Sequence, residues 1–172
     1  PALAHFGRAF EASPTVNKDT WGQYFGDNYA PATGIYMQGN LNPQAIICVD
    51  LVLDIRPGEK RYINPGFPPS PRKFIESYES GTNRPGILKN GIVWTAGQAP
   101  WYIDQNDERN CPEDLVEQTK YLFKKFEIIL RDAGASPKDV VMNRDYIVPA
   151  ARPFYRSTAD VRREFFGDEL PA

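Results

Sequence analysis

The sequence has few of the residues that build metal sites and disulfide frameworks. Its 172 residues include two cysteines, Cys48 and Cys111, and one histidine, His5. Two cysteines are too few for a disulfide scaffold or a cysteine-based zinc cluster, and one histidine excludes a site with several histidine ligands within this chain. We therefore expect neither a metal nor another cofactor.

Long apolar runs and an excess of positive charge are also missing. No run of about 18 apolar residues occurs, so no membrane-spanning helix is predicted. The first ten residues lack the apolar core of a signal peptide. The formal net charge is −2, whereas nucleic-acid-binding domains usually carry a basic stripe. These absences predict a cytoplasmic protein that binds neither membranes nor nucleic acids.

The strongest periodic signal lies in residues 112–133, where apolar side chains recur at helical spacing. Pro112 suits the first helical position because it has no N–H to leave unpaired there. Gly134 is a typical C-terminal stop. We predict one amphipathic helix that covers one side of a sheet. Shorter helices are predicted over 157–166 and over 15–25.

Strand-like segments surround the long helix. Residues 86–97 predict a hairpin with Asn90-Gly91 at its turn. Three further segments are rich in aliphatic and aromatic residues and are predicted as strands: 34–39, 45–55 and 139–148. The N-terminal residues 1–6 have no strand-like pattern. Between Asp54 and Gly81 five prolines predict a connecting arm, either flexible or an ordered loop.

One short motif occurs twice. Phe25-Gly26-Asp27 leads into Pro31-Ala32, and Phe166-Gly167-Asp168 leads into Pro171-Ala172. Each copy follows a predicted aromatic-rich helix. The spacing is the size of a domain, so it favours tandem homologous units over a solenoid. Recurrence by chance is the alternative.

Three strings resemble one family: GIVWTAGQAP (91–100), the helix with its continuation to VV (112–141), and ADVRREFFGDELPA (159–172). They are similar to the Rid (YjgF-type) imine deaminases. Residues 20–55 resemble that family's C-terminal portion. The resemblance implies an α+β, chorismate-mutase-like fold, in which helices cover one face of a mixed sheet. It also implies trimers that enclose small-molecule clefts between subunits.

The resembling parts stand in rotated order. Residues 1–55 match the end of one Rid-like unit, 56–80 form the proline-rich arm, and 81–172 match the beginning of a second unit. This order implies a second polypeptide as partner, either the rest of a tandem precursor or copies in a homotrimer-like assembly. A domain that stands alone is the alternative.

The resemblance also selects candidate catalytic residues. Rid deaminases bind the substrate carboxylate with an arginine directly after Pro-Ala, and a glutamate on the last strand positions water. Here Thr33 follows Pro31-Ala32, Cys48 falls at the glutamate position, and Asp50 lies two residues further on. The candidates are therefore Thr33, Cys48 and Asp50. For Cys48, a small buried apolar residue is the alternative.

Four residues are candidates for substrate binding. Thr95 and Gly97 belong to the turn that resembles the family's TSGQ, although Ala96 replaces its serine, and their backbone N–H groups are expected to stabilise an oxyanion. Arg84 falls near the family's tyrosine position. Arg144 interrupts an apolar strand and is expected to bind a carboxylate. A structural ion pair is its alternative.

These departures leave several functions open. The first is hydrolysis of a C–N bond in a small metabolite by a diverged imine or enamine deaminase or an amidohydrolase, with the site at a subunit interface. The second is a non-catalytic, metabolite-binding or partner-stabilising subunit. The third is one product of a self-processed precursor, with a Thr or Ser nucleophile beginning the chain after Ala172. Separate genes for the two halves are its alternative. The family's older label of ribonuclease fits poorly with a net charge of −2.

Overall fold

The structure is a computed structural model, and it describes residues 2–6, 23, 24, 26, 30–36, 47–63, 84–100, 111–168 and 170–172. Contacts divide the chain into two units. Unit 1 contains the described residues up to Ile63 together with 84–97, and unit 2 contains those from 98 to 172. The α+β class is confirmed. The predicted boundaries at residues 55 and 80 concern sequence ancestry and stay a prediction.

The first sheet of unit 1 contains β1 (Ala2–Phe6), β2 (Ala32–Tyr36) and β3 (Ile47–Leu51) in the order β2-β1-β3. β1 pairs in parallel with β2 and antiparallel with β3, so the sheet is mixed, as the resemblance implied. Ala2–Phe6, within the N-terminal segment that has no strand-like pattern, therefore supply the central strand. That expectation was wrong because pairing on both edges satisfies its backbone.

Parts of two predicted strands are confirmed in this sheet. β2 overlaps the predicted strand 34–39, and β3 lies inside the predicted strand 45–55. Residues 52–55 were also predicted as part of this strand, but they belong to no strand. Residues 37–39, 45 and 46 lie outside the described part of the chain.

The second sheet of unit 1 is antiparallel and has the order β4-β5-β6. Its strands are β4 (Arg61–Ile63), β5 (Gly86–Lys89) and β6 (Ile92–Thr95). Asn90 and Gly91 form the turn with φ values of 51° and 76°. Two successive left-handed residues match the right-handed twist of paired strands. The predicted hairpin is confirmed.

β4 shows that the predicted arm over 56–80 is not all linker. Arg61, Tyr62 and Ile63 pair with β5, and the Ile63 side chain is fully buried. Burial of one β-branched side chain against the hairpin explains why a proline-rich stretch contains a strand. Residues 64–80 lie outside the described part of the chain.

A loop after β3 is attached to the hairpin turn through Asp54. Its carboxylate accepts hydrogen bonds from the Arg56 guanidinium and from Asn90 Nδ2, each at 2.9 Å. The Lys89 ammonium donates to the Asp54 carbonyl at 2.7 Å. The hydrogen bond from Arg56, followed by that from Asn90, holds the pKa of Asp54 far below its usual value. The loop and the turn are thereby fixed to each other.

Unit 2 contains the predicted long helix, α1 (Leu115–Ala133). The Asp114 carboxylate accepts hydrogen bonds from the backbone N–H groups of Val116 and Glu117, both at 2.9 Å. Gly134 ends the helix at φ 79°. The predicted stop is confirmed, whereas Pro112 is not the first helical residue. Pro112 lies two residues before the N-cap, Asp114, whose carboxylate is the acceptor for the unpaired N–H groups of the first helical turn.

The core of unit 2 forms where α1 packs against α2 (Ala159–Phe166). Phe123 stacks on Phe165, with ring centroids 4.5 Å apart, and meets Phe166 edge to face at 5.2 Å. Val161 completes this hydrophobic cluster. The predicted helix over 157–166 is confirmed from Ala159 onwards, and a 3-10 helix, Pro149–Thr158, precedes it.

Lys125 departs from the predicted amphipathic pattern of α1. It is only 6% exposed, and its ammonium donates to the Ala99 carbonyl at 2.8 Å. The ammonium also lies 5.9 Å from the centre of the Tyr121 ring. A carbonyl and an aromatic ring together compensate the positive charge at this position.

The predicted strand over 139–148 is wrong. Pro137–Asp139 form a 3-10 turn, and residues 140–148 belong to no strand. Val141, Met142 and Val148 are more than half exposed. The composition favours a strand, but an extended segment needs neighbours that accept and donate its backbone hydrogen bonds.

Two further predictions can be placed only in part. Of the helix predicted over 15–25, Gln23 and Tyr24 are helical, and the other residues lie outside the described ranges. None of the helices within those ranges is long and apolar enough to cross a membrane. The position of α1 relative to a sheet stays a prediction.

Candidate functional site

The open end of the hairpin in unit 1 gathers several of the predicted residues. Beyond the last rung of the β5–β6 ladder, Gly86 with Thr95, the Ala96 N–H donates to the Pro85 carbonyl at 2.8 Å. Pro85 has no N–H, so the ladder cannot close a further reciprocal rung. Continuing that register places Arg84 opposite Gly97.

Thr33 of β2 contacts this end of the hairpin directly. The Gly97 N–H donates to Thr33 Oγ1 at 2.5 Å, across 64 residues of sequence. A Cβ at position 97 would lie 2.4 Å from Thr33 Cγ2. Only glycine permits this approach, because no real side chain tolerates so short a contact. Two predicted site residues, one catalytic and one substrate-binding, are therefore brought together.

The N–H groups of the turn are already engaged. Ala96 donates to Pro85, and Gly97 donates to Thr33. An oxyanion hole requires N–H groups that point at an empty position where negative charge develops. The role expected for the turn at Gly97 is therefore not formed in this conformation. Thr95 lies half-buried in β6, opposite Gly86, and its expected role stays a prediction.

The other two predicted catalytic residues lie in the first sheet. Leu3 of β1 is the register partner of both Thr33 and Asp50, so these three residues form one row across the sheet. Two strand spacings separate Thr33 from Asp50, or about 10 Å between their backbones. Cys48 is the register partner of His5 in another row. The side chains of Cys48, Asp50 and His5 lie outside the described part of the structure.

Arg84 is half-buried with an unsatisfied polar atom. Its guanidinium carbon lies 4.8 Å from the centre of the Tyr62 ring. Its Nε is buried and has no hydrogen-bond partner. No carboxylate among the described residues forms an ion pair with it. A partly desolvated guanidinium with a free donor is suited to binding an anion, because pairing would remove the cost of burying that donor.

Arg144, the remaining predicted residue, lies in unit 2. It is exposed, and none of the described residues forms an ion pair with it. The ionic contact is made instead by its neighbour Asp145, which pairs with Arg162 of α2. Adjacent extended residues point in opposite directions, and the sequence did not show which of the two would face α2.

Sequence reasoning missed the polar cluster formed by Asp145, Tyr155 and Arg162. The Tyr155 hydroxyl donates to the Asp145 carboxylate and accepts from the Arg162 guanidinium. Asn143 Nδ2 donates to Asp145 at 2.9 Å. Burial raises the pKa of Tyr155. The seven-residue spacing of Tyr155 and Arg162, two helical turns, is the one sequence signal that could have found them.

This cluster lines an open cleft of about 430 Å³ in unit 2, together with Ile147, Pro171 and Ala172. The charges of Asp145 and Arg162 compensate each other, so neither is free to bind an ion. The cluster is therefore structural in this conformation. No group of histidine, cysteine and carboxylate side chains suited to a metal ion occurs among the residues that the structure describes.

Known proteins are similar to about half of this chain or more. The sequence profile of the family described as Endoribonuclease L-PSP matches residues 77–172. A 3-aminoacrylate deaminase, RutC, from Acinetobacter baylyi is 31% identical over 88 residues, which are 51% of this chain and 67% of the relative. A RutC family protein from Pyrococcus abyssi is 33% identical over 86 residues, 50% of this chain and 65% of the relative. The chain thus spans about two thirds of each relative.

A solved structure from Entamoeba histolytica, assigned to the same family, covers 66% of this chain and 82% of its own, at 20% identity and a TM-score of 0.46. A likeness at that TM-score carries no argument. The profile match covers more than half of the 172 residues and includes the hairpin, α1 and α2. The chain therefore belongs to the Endoribonuclease L-PSP family, which is the Rid family that its motifs resemble.

Proposed function

We propose that this chain hydrolyses a C–N bond in a small enamine or imine that carries a carboxylate, as a diverged Rid-type deaminase. Family membership supports this reaction class, and one relative is named a 3-aminoacrylate deaminase. The observation that carries the proposal is the convergence of Arg84, Gly97 and Thr33 at the open end of the hairpin.

Arg84 is the proposed carboxylate ligand. The family's arginine after Pro-Ala is replaced by Thr33, so the substrate's negative charge needs another cation. Arg84 is half-buried, lies over Tyr62 and has an unpaired Nε donor. A planar guanidinium presents two parallel donors to two carboxylate oxygens. It thereby orients the reacting carbon of a small substrate.

Hydrolysis itself needs water and proton transfer but no cofactor. An enamine tautomerises to an imine, water adds to the imine carbon, and the C–N bond breaks to release ammonia and leave a carbonyl group. Asp50 is the proposed base that takes the proton from water. Thr33 Oγ1 accepts from Gly97, so its own hydroxyl proton can be donated to the departing nitrogen.

Thr33 and Asp50 share one row of the first sheet with Leu3 between them. At about 10 Å their backbones are too far apart for a direct contact between short side chains, so they would act from opposite sides of a small substrate. If Asp50 proves dispensable, Cys48 is the residue proposed to take over the role of the family's glutamate, which positions water. A neighbouring subunit would complete the site, as the resemblance to the trimeric Rid deaminases implies.

The test is ammonia release from an enzymatically generated 3-aminoacrylate, measured with Arg84→Ala and with Arg61→Ala as matched control. Arg61 is an exposed arginine of the same sheet. We expect Arg84→Ala to raise KM roughly 10- to 100-fold, the value of one or two charge-assisted hydrogen bonds, and Arg61→Ala to leave it unchanged. Equal kinetics for both variants would remove Arg84 from the site.

A non-catalytic role is the second candidate. It is favoured by the loss of both family residues, since Thr33 stands at the arginine position and Cys48 at the glutamate position. Such a subunit would bind the small carboxylate without turning it over. Binding by the wild-type chain with no ammonia release above the spontaneous rate would establish this role and reject the deaminase.

A further inference from the structure

Tyr62 of β4 contacts Arg84, the proposed carboxylate ligand, through its aromatic ring. The guanidinium carbon of Arg84 lies over that ring, 4.8 Å from its centre. Both side chains are half-buried. The attraction between a cation and a ring face is stronger where water is partly excluded than at an exposed surface. The ring therefore contributes to where the guanidinium lies.

This contact orients the Arg84 guanidinium in the free chain. Among the residues that the structure describes, none accepts a hydrogen bond from its Nε or forms an ion pair with it. An arginine side chain has several rotatable bonds, and one without fixed partners loses that freedom only when a ligand binds. The loss weakens binding, so a ring that restricts the side chain beforehand strengthens it.

The sheet fixes the position of the ring. Tyr62 is the register partner of Ile87 in β5, and the next residue, Ile63, pairs with Gly86. Ile63 is fully buried, and Ile87 is 7% exposed. Successive strand residues point to opposite faces, so burial of Ile63 on one face directs Tyr62 to the other. The ring is thus attached to a paired strand rather than to a loop.

A guanidinium that lies over a ring can still bind an anion. The ring attracts the face of the guanidinium, whereas its five N–H groups lie in the plane and point outward from the edge. A carboxylate binds along that edge with two parallel hydrogen bonds. The ring and a carboxylate can therefore hold one guanidinium at the same time.

We propose that Tyr62 is a positioning residue of the carboxylate site, which holds the Arg84 guanidinium in place before the substrate binds. This inference rests on the proposed function of Arg84. Tyr62 lies outside residues 77–172, the range that matches the family profile, so the strand β4 adds to the site a group from beyond that range. Loss of the ring leaves Arg84 charged but mobile, and the affinity for a carboxylate falls although every donor is still present.

The first test observes the contact without any ligand. A ring current shifts the resonance of a proton held close to it, and the Arg84 Nε–Hε signal is identified as the one that Arg84→Ala removes from a proton–nitrogen correlation spectrum. We expect this signal at nearly the same position in the wild type and in Tyr62→Phe, which keeps the ring. It should be displaced in Tyr62→Leu, which replaces the ring by an apolar side chain. The same position in all three proteins would overturn the proposal.

The second test measures acrylate affinity by titration calorimetry. We expect Tyr62→Leu to weaken binding roughly 3- to 20-fold, from the lost ring contact and the ordering of one long side chain. Tyr62→Phe is the matched control and should stay within about twofold of the wild type, because the ring face is retained. In the Arg84→Ala background Tyr62→Leu should have no further effect, since the ring acts only through Arg84.

The outcomes separate this proposal from the proposed function. Acrylate binding that Arg84→Ala weakens and Tyr62→Leu does not would overturn the positioning role and leave Arg84 as the ligand. Equal weakening by Tyr62→Phe and Tyr62→Leu would also overturn it, as would an effect of Tyr62→Leu that persists without Arg84, since Tyr62 would then act through the fold. Binding that Arg84→Ala leaves unchanged would reject the proposed role of Arg84, and the positioning role with it.

Discussion

β1 in unit 1 and segment 141–148 in unit 2 have opposite relations between sequence and structure. β1 has the sequence ALAHF, which lacks a strand pattern, yet it is the central strand of a sheet. Segment 141–148 is rich in Val, Met, Ile and Tyr, yet it belongs to no strand. β1 has a pairing partner on each edge, whereas among the described residues the ladder-type backbone hydrogen bonds of segment 141–148 are the two that join it to Ala172, and this accounts for the difference.

This comparison shows that strand propensity reports how well a side chain fits a sheet that already exists. A helix satisfies its backbone within one segment, whereas a strand depends on residues far away in sequence. Each unit therefore has its own source of stability: ladders and one glycine contact in unit 1, and an aromatic core in unit 2. Four substitutions separate these sources.

The largest effect is expected from Phe123→Ala in unit 2. Phe123 is 6% exposed and contacts both Phe165 and Phe166, so its loss leaves a cavity that costs about 3–5 kcal/mol of unfolding free energy. Hydrogen exchange should show faster opening of α1 amides and unchanged protection in β5 and β6. Phe154→Ala, at a side chain 65% exposed, is the control and should change neither. Equal loss of protection in both units would show that they unfold together.

Gly97→Ala should have the next largest effect, in unit 1. The added Cβ would lie 2.4 Å from Thr33 Cγ2 and 2.8 Å from its Oγ1, which costs about 1–3 kcal/mol by overpacking. Chemical denaturation measures the loss. Thr33→Ala removes both clashing atoms, so the double variant should recover part of the stability lost in Gly97→Ala. An additive double variant would mean that the two residues are not in contact.

Tyr155→Phe should cost about 1 kcal/mol, the value of a partly exposed hydrogen bond to Asp145 and Arg162. Burial raises the pKa of Tyr155, so its stabilising contribution is present below the phenol's unfolded value, near pH 10, and falls as pH rises through the folded value. Urea unfolding at pH 7 and above pH 10 should show a gap between wild type and variant that narrows in alkali. A stability difference between wild type and variant that widens above pH 10 would contradict the raised pKa of Tyr155.

The smallest effect is expected from Asp54→Asn, because its partner Arg56 is 58% exposed. The pKa of Asp54 is lowered in the folded chain, so the carboxylate stabilises it at pH 7 and above the unfolded value of about 4. That contribution falls as pH drops towards the folded value. The urea midpoint of the variant should lie below that of the wild type at pH 7, and the difference should begin to narrow below the unfolded value of about pH 4 and keep narrowing as the pH falls further. A difference in urea midpoint that stays constant from pH 7 to pH 2 would contradict the lowered pKa of Asp54.

Local signals explain the parts of the fold that the sequence predicted. The Asn90-Gly91 turn, with two left-handed residues, and the end of α1 at Gly134, with one, depend on residues that tolerate that conformation. The start of α1 was misplaced because Pro112 and Asp114 are both typical of helix N-termini, and only the structure shows which one caps. β4 was missed because burial of Ile63, which no local pattern reveals, decides it.

The candidate site was predictable residue by residue but not as an arrangement. The family pattern selected Thr33, Gly97 and Arg84 separately, while the hydrogen bond between Thr33 and Gly97 spans 64 residues. Arg144 was preferred over Asp145, because two adjacent charged residues on an extended segment give no sign of which one faces inward. The roles of Cys48 and Asp50 stay predictions.

Equilibrium binding of acrylate, a small unsaturated carboxylate, tests the central claim that Arg84 holds the substrate, and it requires no turnover. Titration calorimetry would compare the wild type, Arg84→Ala and Arg61→Ala, with neutral acrylamide as the matched ligand. Saturable acrylate binding to the wild type and to Arg61→Ala, at least about tenfold weaker in Arg84→Ala and absent for acrylamide in all three, is the predicted result. Equal acrylate affinity in the wild type and Arg84→Ala would contradict it.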